Sequence, residues 1–166
     1  KSQFHPIYVS IGNIKNWRRN KPDAKQLLGY LPILKSSNNT EKQSDNFKKA
    51  SREAFHKSLE VLLNPLTNDD DIDLTLNNET VWFFPRVSIV IADWPEAATY
   101  CLTYKSPMSN FPCHFCLVTR DNLSDMNLQI NDIIPRTHTN MQQYFNQNTE
   151  HSVCLEKVSN FFWKLP

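Results

Sequence analysis

The sequence predicts a mixed α/β fold in a single domain. Three observations carry that prediction. Runs of β-branched and aromatic residues end at turn signals, one long segment repeats its apolar residues at helical spacing, and 166 residues suffice to enclose a core. A hydrophobic fraction of 40% with 21% charged residues is that of a globular chain. The net charge of +1 neither requires nor excludes a polyanionic partner, because a basic face can be offset elsewhere.

The elements follow in order. "HPIYVSIGNI" (5–14) reads as a strand closed by Gly12 and Asn13. "NWRRNKPDAK" (16–25) reads as a basic, polar connection, and "KQLLGYLPIL" (25–34) as a second strand-like run stopped by Pro32. "KSSNNTEKQSDN" (35–46) is expected to be a loop. The spacing of Phe47, Ala50, Ala54, Phe55, Leu59, Leu62, Leu63 and Leu66 predicts a helix over 47–66. Ser44 or Asp45 can cap it, and Pro65 marks its end. An acidic loop (67–79) leads to a strand at "TVWFF" (80–84), and "VSIVIA" (87–92) predicts another strand. "WPEAATYCLTY" (94–104) begins as a helix, 105–123 is a loop, and "TNMQQYFNQN" (139–148) is a short helix. The tail 152–165 has no dominant period.

Several function classes drop out early. No stretch approaches the roughly 18 apolar residues that a membrane helix needs. The whole chain holds two glycines, so a glycine-rich phosphate loop is not available. Asp69, Asp70, Asp71 and Asp73 suggest calcium, but Leu74 and Thr80 stand where a calcium loop needs Gly and Glu, so a solvated loop is expected. Four cysteines are too few for a disulfide scaffold of this size, and reduced thiols suit an intracellular protein. The sequons at Asn38, Asn78 and Asn122 carry little weight in so Asn-rich a chain. The opening "KSQFHPIYVS" has no apolar leader and starts almost inside a strand, which reads as a segment of a longer chain.

Chemistry concentrates at two places. Asp93 ends the apolar run "VSIVIAD" and precedes Trp94, Pro95 and Glu96. Locally this is a helix N-cap: Asp caps well, Pro suits the first turn, and Glu96 sits at the capping-box position. It is also a carboxylate at the carboxyl end of an expected strand, where ligands of open sheets gather. The second place is Cys113-His114-Phe115-Cys116, whose spacing lets two thiolates reach one tetrahedral zinc. The remaining ligands would come from His138, His151, Cys154 or residues outside the chain, with His114 a spacer. A redox pair is the rival reading, although no thioredoxin-like βαβ pattern surrounds it. Lys15, Arg18, Arg19, Lys21 and Lys25 surround Trp17, a set suited to phosphates and a stacked base as much as to a solvated loop. His5 and His56 read as a strand-end and a helix-face residue without visible partners.

Taken in order, "HPIYVSIGNI", "RRNKP", "LLGYLPIL", "FHKSLEVLLNPL" and "IADWPEAATYCLTY…PCHFC" resemble the Plavaka-type transposases of fungi, relatives of the CACTA group. The likeness covers roughly residues 4–123, with a weaker echo in "EKVSNFFWKLP". It implies a partial RNase H-like core of the DDE type over 1–123, including the Cys-x-x-Cys insertion, and a helical or mixed extension of the same domain over 124–166. Such cores use Mg²⁺ held by acids to cut and join DNA strands. By motif, Asp93 matches the second catalytic acid and a Mg²⁺ ligand, and Cys113 and Cys116 match a pair expected to bind structural Zn²⁺. The first acid is expected just before Lys1 and the third after Pro166, so this stretch alone is expected to be inactive. The resemblance implies DNA as partner, with Arg18, Arg19, Lys21 and Arg120 on phosphates, allows a homo-oligomer, and implies a nuclear location. The alternative is a domesticated, non-catalytic, zinc-stabilised module for nucleic-acid binding or interaction.

Overall fold

The computed structural model describes residues 4–67 and 72–165. Strands β1 (Phe4–Val9) and β2 (Gln26–Pro32) pair antiparallel, from Phe4 opposite Pro32 to Val9 opposite Gln26, with a bulge between Ile7 and Tyr8. The first strand is therefore shorter than its apolar run. The basic, polar connection at 16–25 holds a one-turn helix α1 (Asn16–Arg19) and a 3-10 turn at 22–24. The loop expected at 35–46 instead contains α2 (Asn39–Gln43), capped by the Asn38 side chain accepting from the Glu41 N–H at 2.8 Å.

Helix α3 (Asp45–Thr67) is the backbone of the fold. Ser44 Oγ accepts from the Phe47 N–H at 3.2 Å, satisfying one of the orphan donors of its first turn. Pro65 lies inside its last turn rather than beyond it. Its apolar face packs on β2 at close range: a Cβ added to Gly29 would sit 2.6 Å from Leu62 Cδ1. Between the two lies a core of Leu31, Leu59, Leu63, Tyr100 and Phe161, so the end of the chain packs against its second strand.

A second cluster forms from Leu102, Met141, Val153, Leu155 and Val158. It is bounded by α5 (His138–Asn146), whose first turn is closed by a reciprocal Thr137–Asn140 capping box. An antiparallel bridge between Thr103 and Leu155 ties the middle of the chain to its end. Among the described residues no helix is long and apolar enough to cross a membrane.

Two expectations need correction. The segment read as an acidic loop supplies strand β3 (Ile72–Leu76), which pairs with β4 (Glu79–Phe83) through Asn77 and Asn78, both at positive φ. Asparagine tolerates that conformation and suits a two-residue hairpin turn. Asp69, Asp70 and Asp71 lie outside the described residues. The strand expected over 87–92 is not formed: 84–93 carries no regular structure, and Ile89 and Ile91 are 77% and 91% exposed. A strand exists only as part of a hydrogen-bonded ladder, and none of the described strands pairs with this run. Among the described residues, four strands form two separate two-stranded sheets.

Candidate functional site around Asp93

Asp93 is the N-cap of helix α4 (Trp94–Tyr100). Its backbone is extended and Oδ1 accepts from the Glu96 N–H at 2.9 Å, as the local sequence predicts. Glu96 does not complete the capping box. Its carboxylate turns to β1 and meets His5 Nε2 in a close ion-pair contact. His5 thus has a partner that sequence spacing could not reveal, 91 positions away in number (96 − 5).

Among the described residues the cap leaves the second oxygen of Asp93 without a hydrogen bond, on an exposed residue. A hard carboxylate oxygen of this kind suits Mg²⁺, which typically takes one or two carboxylates and completes its shell with water and phosphate. Among the described residues no group of three or more His, Cys, Asp or Glu side chains is arranged to hold a metal ion.

The Cys-x-x-Cys loop reaches this turn through His114. The buried imidazole packs edge-on against Trp94 at 4.6 Å between centroids, and burial followed by the nearby Arg136 charge lowers its pKa. The residue read as a spacer therefore links the loop to the side chain next to Asp93. From behind, Arg136 holds the loop: it donates to the carbonyls of Cys113 (2.9 Å), Phe111 (3.2 Å) and Val153 (2.8 Å). Its own backbone N–H donates to Phe115 O at 2.8 Å, beside a bridge between Cys116 and Pro135.

All four thiols, those of Cys101, Cys113, Cys116 and Cys154, lie within electrostatic reach of that guanidinium. Burial pushes the Cys101 and Cys116 thiols up, which favours the neutral form. The arrangement fits zinc only in part: Cys113 and Cys116 are neighbours, yet a closed site needs four ligands. His151 is directed elsewhere, its Nδ1 meeting the Tyr104 hydroxyl at 2.8 Å. Arg136, which sequence reasoning missed, is the brace that the described residues supply. Only its distant partners identify it, so no local pattern could have found it.

The cations expected to meet phosphate have partners within the fold. Arg18 forms a bidentate pair with Asp23 at 2.7 and 2.8 Å, which holds the Asp23 carboxyl below its ordinary range. Arg19 donates to the Gly12 and Ile14 carbonyls, and Arg120 to Met108 O and Asp121. Lys21 is exposed.

The family model of the Plavaka transposase matches residues 1–165. The chain belongs to the Plavaka transposase family. That match runs through Asp93, the Cys-x-x-Cys loop and the C-terminal 3-10 turn at 161–164 alike, so it includes the segment beyond residue 123 as well. No curated protein and no solved structure matches the chain. Within the transposase chain, the ADWPE turn is where β1, α4 and the Cys-x-x-Cys loop come together, through His5, Glu96, Trp94 and His114.

Proposed function

We propose that this Plavaka transposase chain carries part of an RNase H-like DDE core and acts in metal-dependent cleavage and transfer of DNA strands. Asp93 is its metal-binding carboxylate. The observation that supports this most is the division of labour at Asp93, where one oxygen caps α4 and the other is left open. The cap fixes the direction of the carboxylate, so little side-chain freedom is lost when it binds a cation. Bound Mg²⁺ would polarise the phosphodiester and activate the attacking hydroxyl. The chain's own contribution is to hold Asp93 in place: Glu96 is anchored by His5, and Trp94 by His114.

The same reading gives Arg18, Arg19, Lys21 and Arg120 to the DNA backbone, with Arg18 exchanging Asp23 for phosphate. It carries with it a nuclear location and further acids from outside these residues. Zinc at Cys113 and Cys116 belongs to the reading as well, and it would need ligands beyond the described ones. The test is strand cleavage by the transposase with its native flanks and Mg²⁺. Asp93→Asn keeps an equally good cap, so the fold should survive while cleavage falls by at least about a hundredfold, the scale of losing a charge-stabilising group. Cleavage unchanged in Asp93→Asn would sink the assignment.

A further inference from the structure

We propose that the outer face of the β1–β2 hairpin, with the basic connection at its end, is a stacking platform for unpaired bases of a DNA strand; this rests on the transposase reading above.

The pairing register builds the face. Phe4 lies opposite Pro32, Pro6 opposite Tyr30 and Tyr8 opposite Leu27. Alternation puts these six on one side of the hairpin, and the bulge after Ile7 keeps Leu27 there by leaving Leu28 unpaired. The other side sets Ile7, Gly29 and Leu31 against α3. All six outer residues are exposed, with Phe4, Tyr8 and Tyr30 at 58%, 62% and 60%. The Phe4 and Tyr30 rings stand edge to face, 6.2 Å between centroids. An antiparallel pair packed on one face normally turns polar side chains to water on the other. Here that face holds three aromatic rings, two prolines and a leucine, and no charge. A contiguous apolar patch of this kind marks a contact surface.

Charge decides what the contact is. Residues 1–35 contain seven Lys and Arg and a single acid, Asp23, in a chain whose net charge is only +1. In the connection between the strands, Arg18 is taken up by Asp23, and Arg19 ties α1 to the carbonyls of Gly12 and Ile14. Lys15, Lys21 and Lys25 remain exposed and form no ion pair among the described residues. Trp17 stands between them in sequence, 66% exposed. An apolar protein surface would use the rings and not the cations, and a duplex the cations and not the rings. An unpaired strand uses both: its bases stack on the aromatic side chains while its phosphates follow the lysines. The face also has a direction. It begins at Phe4, beside the turn where His5 meets Glu96, and ends about 13 Å further on at Tyr8, next to the basic connection. A strand lying along it runs from the neighbourhood of Asp93 to the lysines.

The experiment is an anisotropy titration of the full chain with a fluorescently labelled random-sequence single strand of DNA and with the corresponding duplex, each over a salt series. Wild type should bind the single strand with affinity that falls as salt rises. Tyr8→Ala, Trp17→Ala and Tyr30→Ala should each weaken single-strand binding by at least about fivefold, the low end of one base–aromatic stack, with the salt slope and duplex binding unchanged. Trp17→Phe and Tyr30→Phe keep a ring and should bind as wild type does. Lys21→Gln and Lys25→Gln should instead lower the slope of log K against log salt by about 0.7 each. Single-strand affinity unchanged in all three alanine variants would overturn the proposal. So would self-association of wild type that the same variants abolish, which would make the face an interface between copies. Neither result touches the Asp93 assignment, which Mg²⁺-dependent cleavage reads separately.

Discussion

At the scale of single residues, His56 is where tertiary contacts most change the chemistry. It is 3% exposed on α3, with Nε2 facing Thr99 O at 3.1 Å and Nδ1 facing the Phe161 N–H at 3.3 Å. Only one tautomer satisfies both contacts: Nδ1 accepts and Nε2–H donates. Burial lowers the pKa from 6.5 to about 4, so the folded state holds the neutral ring. The sign follows directly. Below 6.5 the unfolded chain binds a proton that the folded chain refuses, so stability falls with pH from about 6.5 to about 4. The full effect is at most about 3 kcal/mol. Melting temperature should drop across that window in wild type. His56→Gln, which can still bond, should show a flatter profile; an unchanged profile would contradict the assignment. The helical period places His56 on α3, but its partners lie 43 and 105 residues away, outside what local pattern can report.

At the scale of elements, the β1–β2 pair and α3 meet through a position with no side chain. Gly29 lets Leu62 approach β2, and a branched residue would have to push the helix or the leucine aside. Gly29→Val should therefore destabilise the chain by about 1–3 kcal/mol, the usual cost of overpacking, measured by urea unfolding. These elements were legible because their signals are local. Helix 47–66 has a clean apolar period and became α3 within two residues at its start and one at its end. Pro32 closes β2, and α5 matches its short apolar repeat to within two residues. The misses have physical causes too. In β3, Ile72, Leu74 and Leu76 alternate with Asp73 and Thr75, a strand period masked by the acidic residues before it. In 87–92 the intrinsic preference for strand is strong, yet extended backbone without a neighbouring ladder is not a sheet.

At the scale of the whole molecule, the transposase chain is held by a few long-range polar ties laid over two apolar clusters. Arg136 is the largest of these, joining the Cys-x-x-Cys loop to the turn at Val153 and, through Nη1 at 3.3 Å, to Met141 Sδ on α5. Lysine keeps the charge but has no planar fork to reach several carbonyls at once. Arg136→Lys should cost about 2–3 kcal/mol, from lost charge-assisted bonds to carbonyls left buried. It should also make Cys113 and Cys116 react faster with a thiol reagent, as the loop loosens. Normal stability and thiol reactivity in that variant would show that the loop is braced by something else.

Sequence by itself determined the mixed α/β character, the position of α3, the Asp93 cap and the family, because each depends on spacing or on residue types within a short window. Tertiary structure alone decided what surrounds Asp93. It set Glu96 on His5, His114 on Trp94 and, further along the chain, Glu156 on Arg52. The place of Glu156 depends on how α4 reverses at Leu102, which sits at φ 55° and is buried, and on the Thr103–Leu155 bridge that follows. Such a meeting is a property of packing, where burial of one leucine outweighs a backbone preference of about 1–2 kcal/mol. No single stretch of the chain contains that balance.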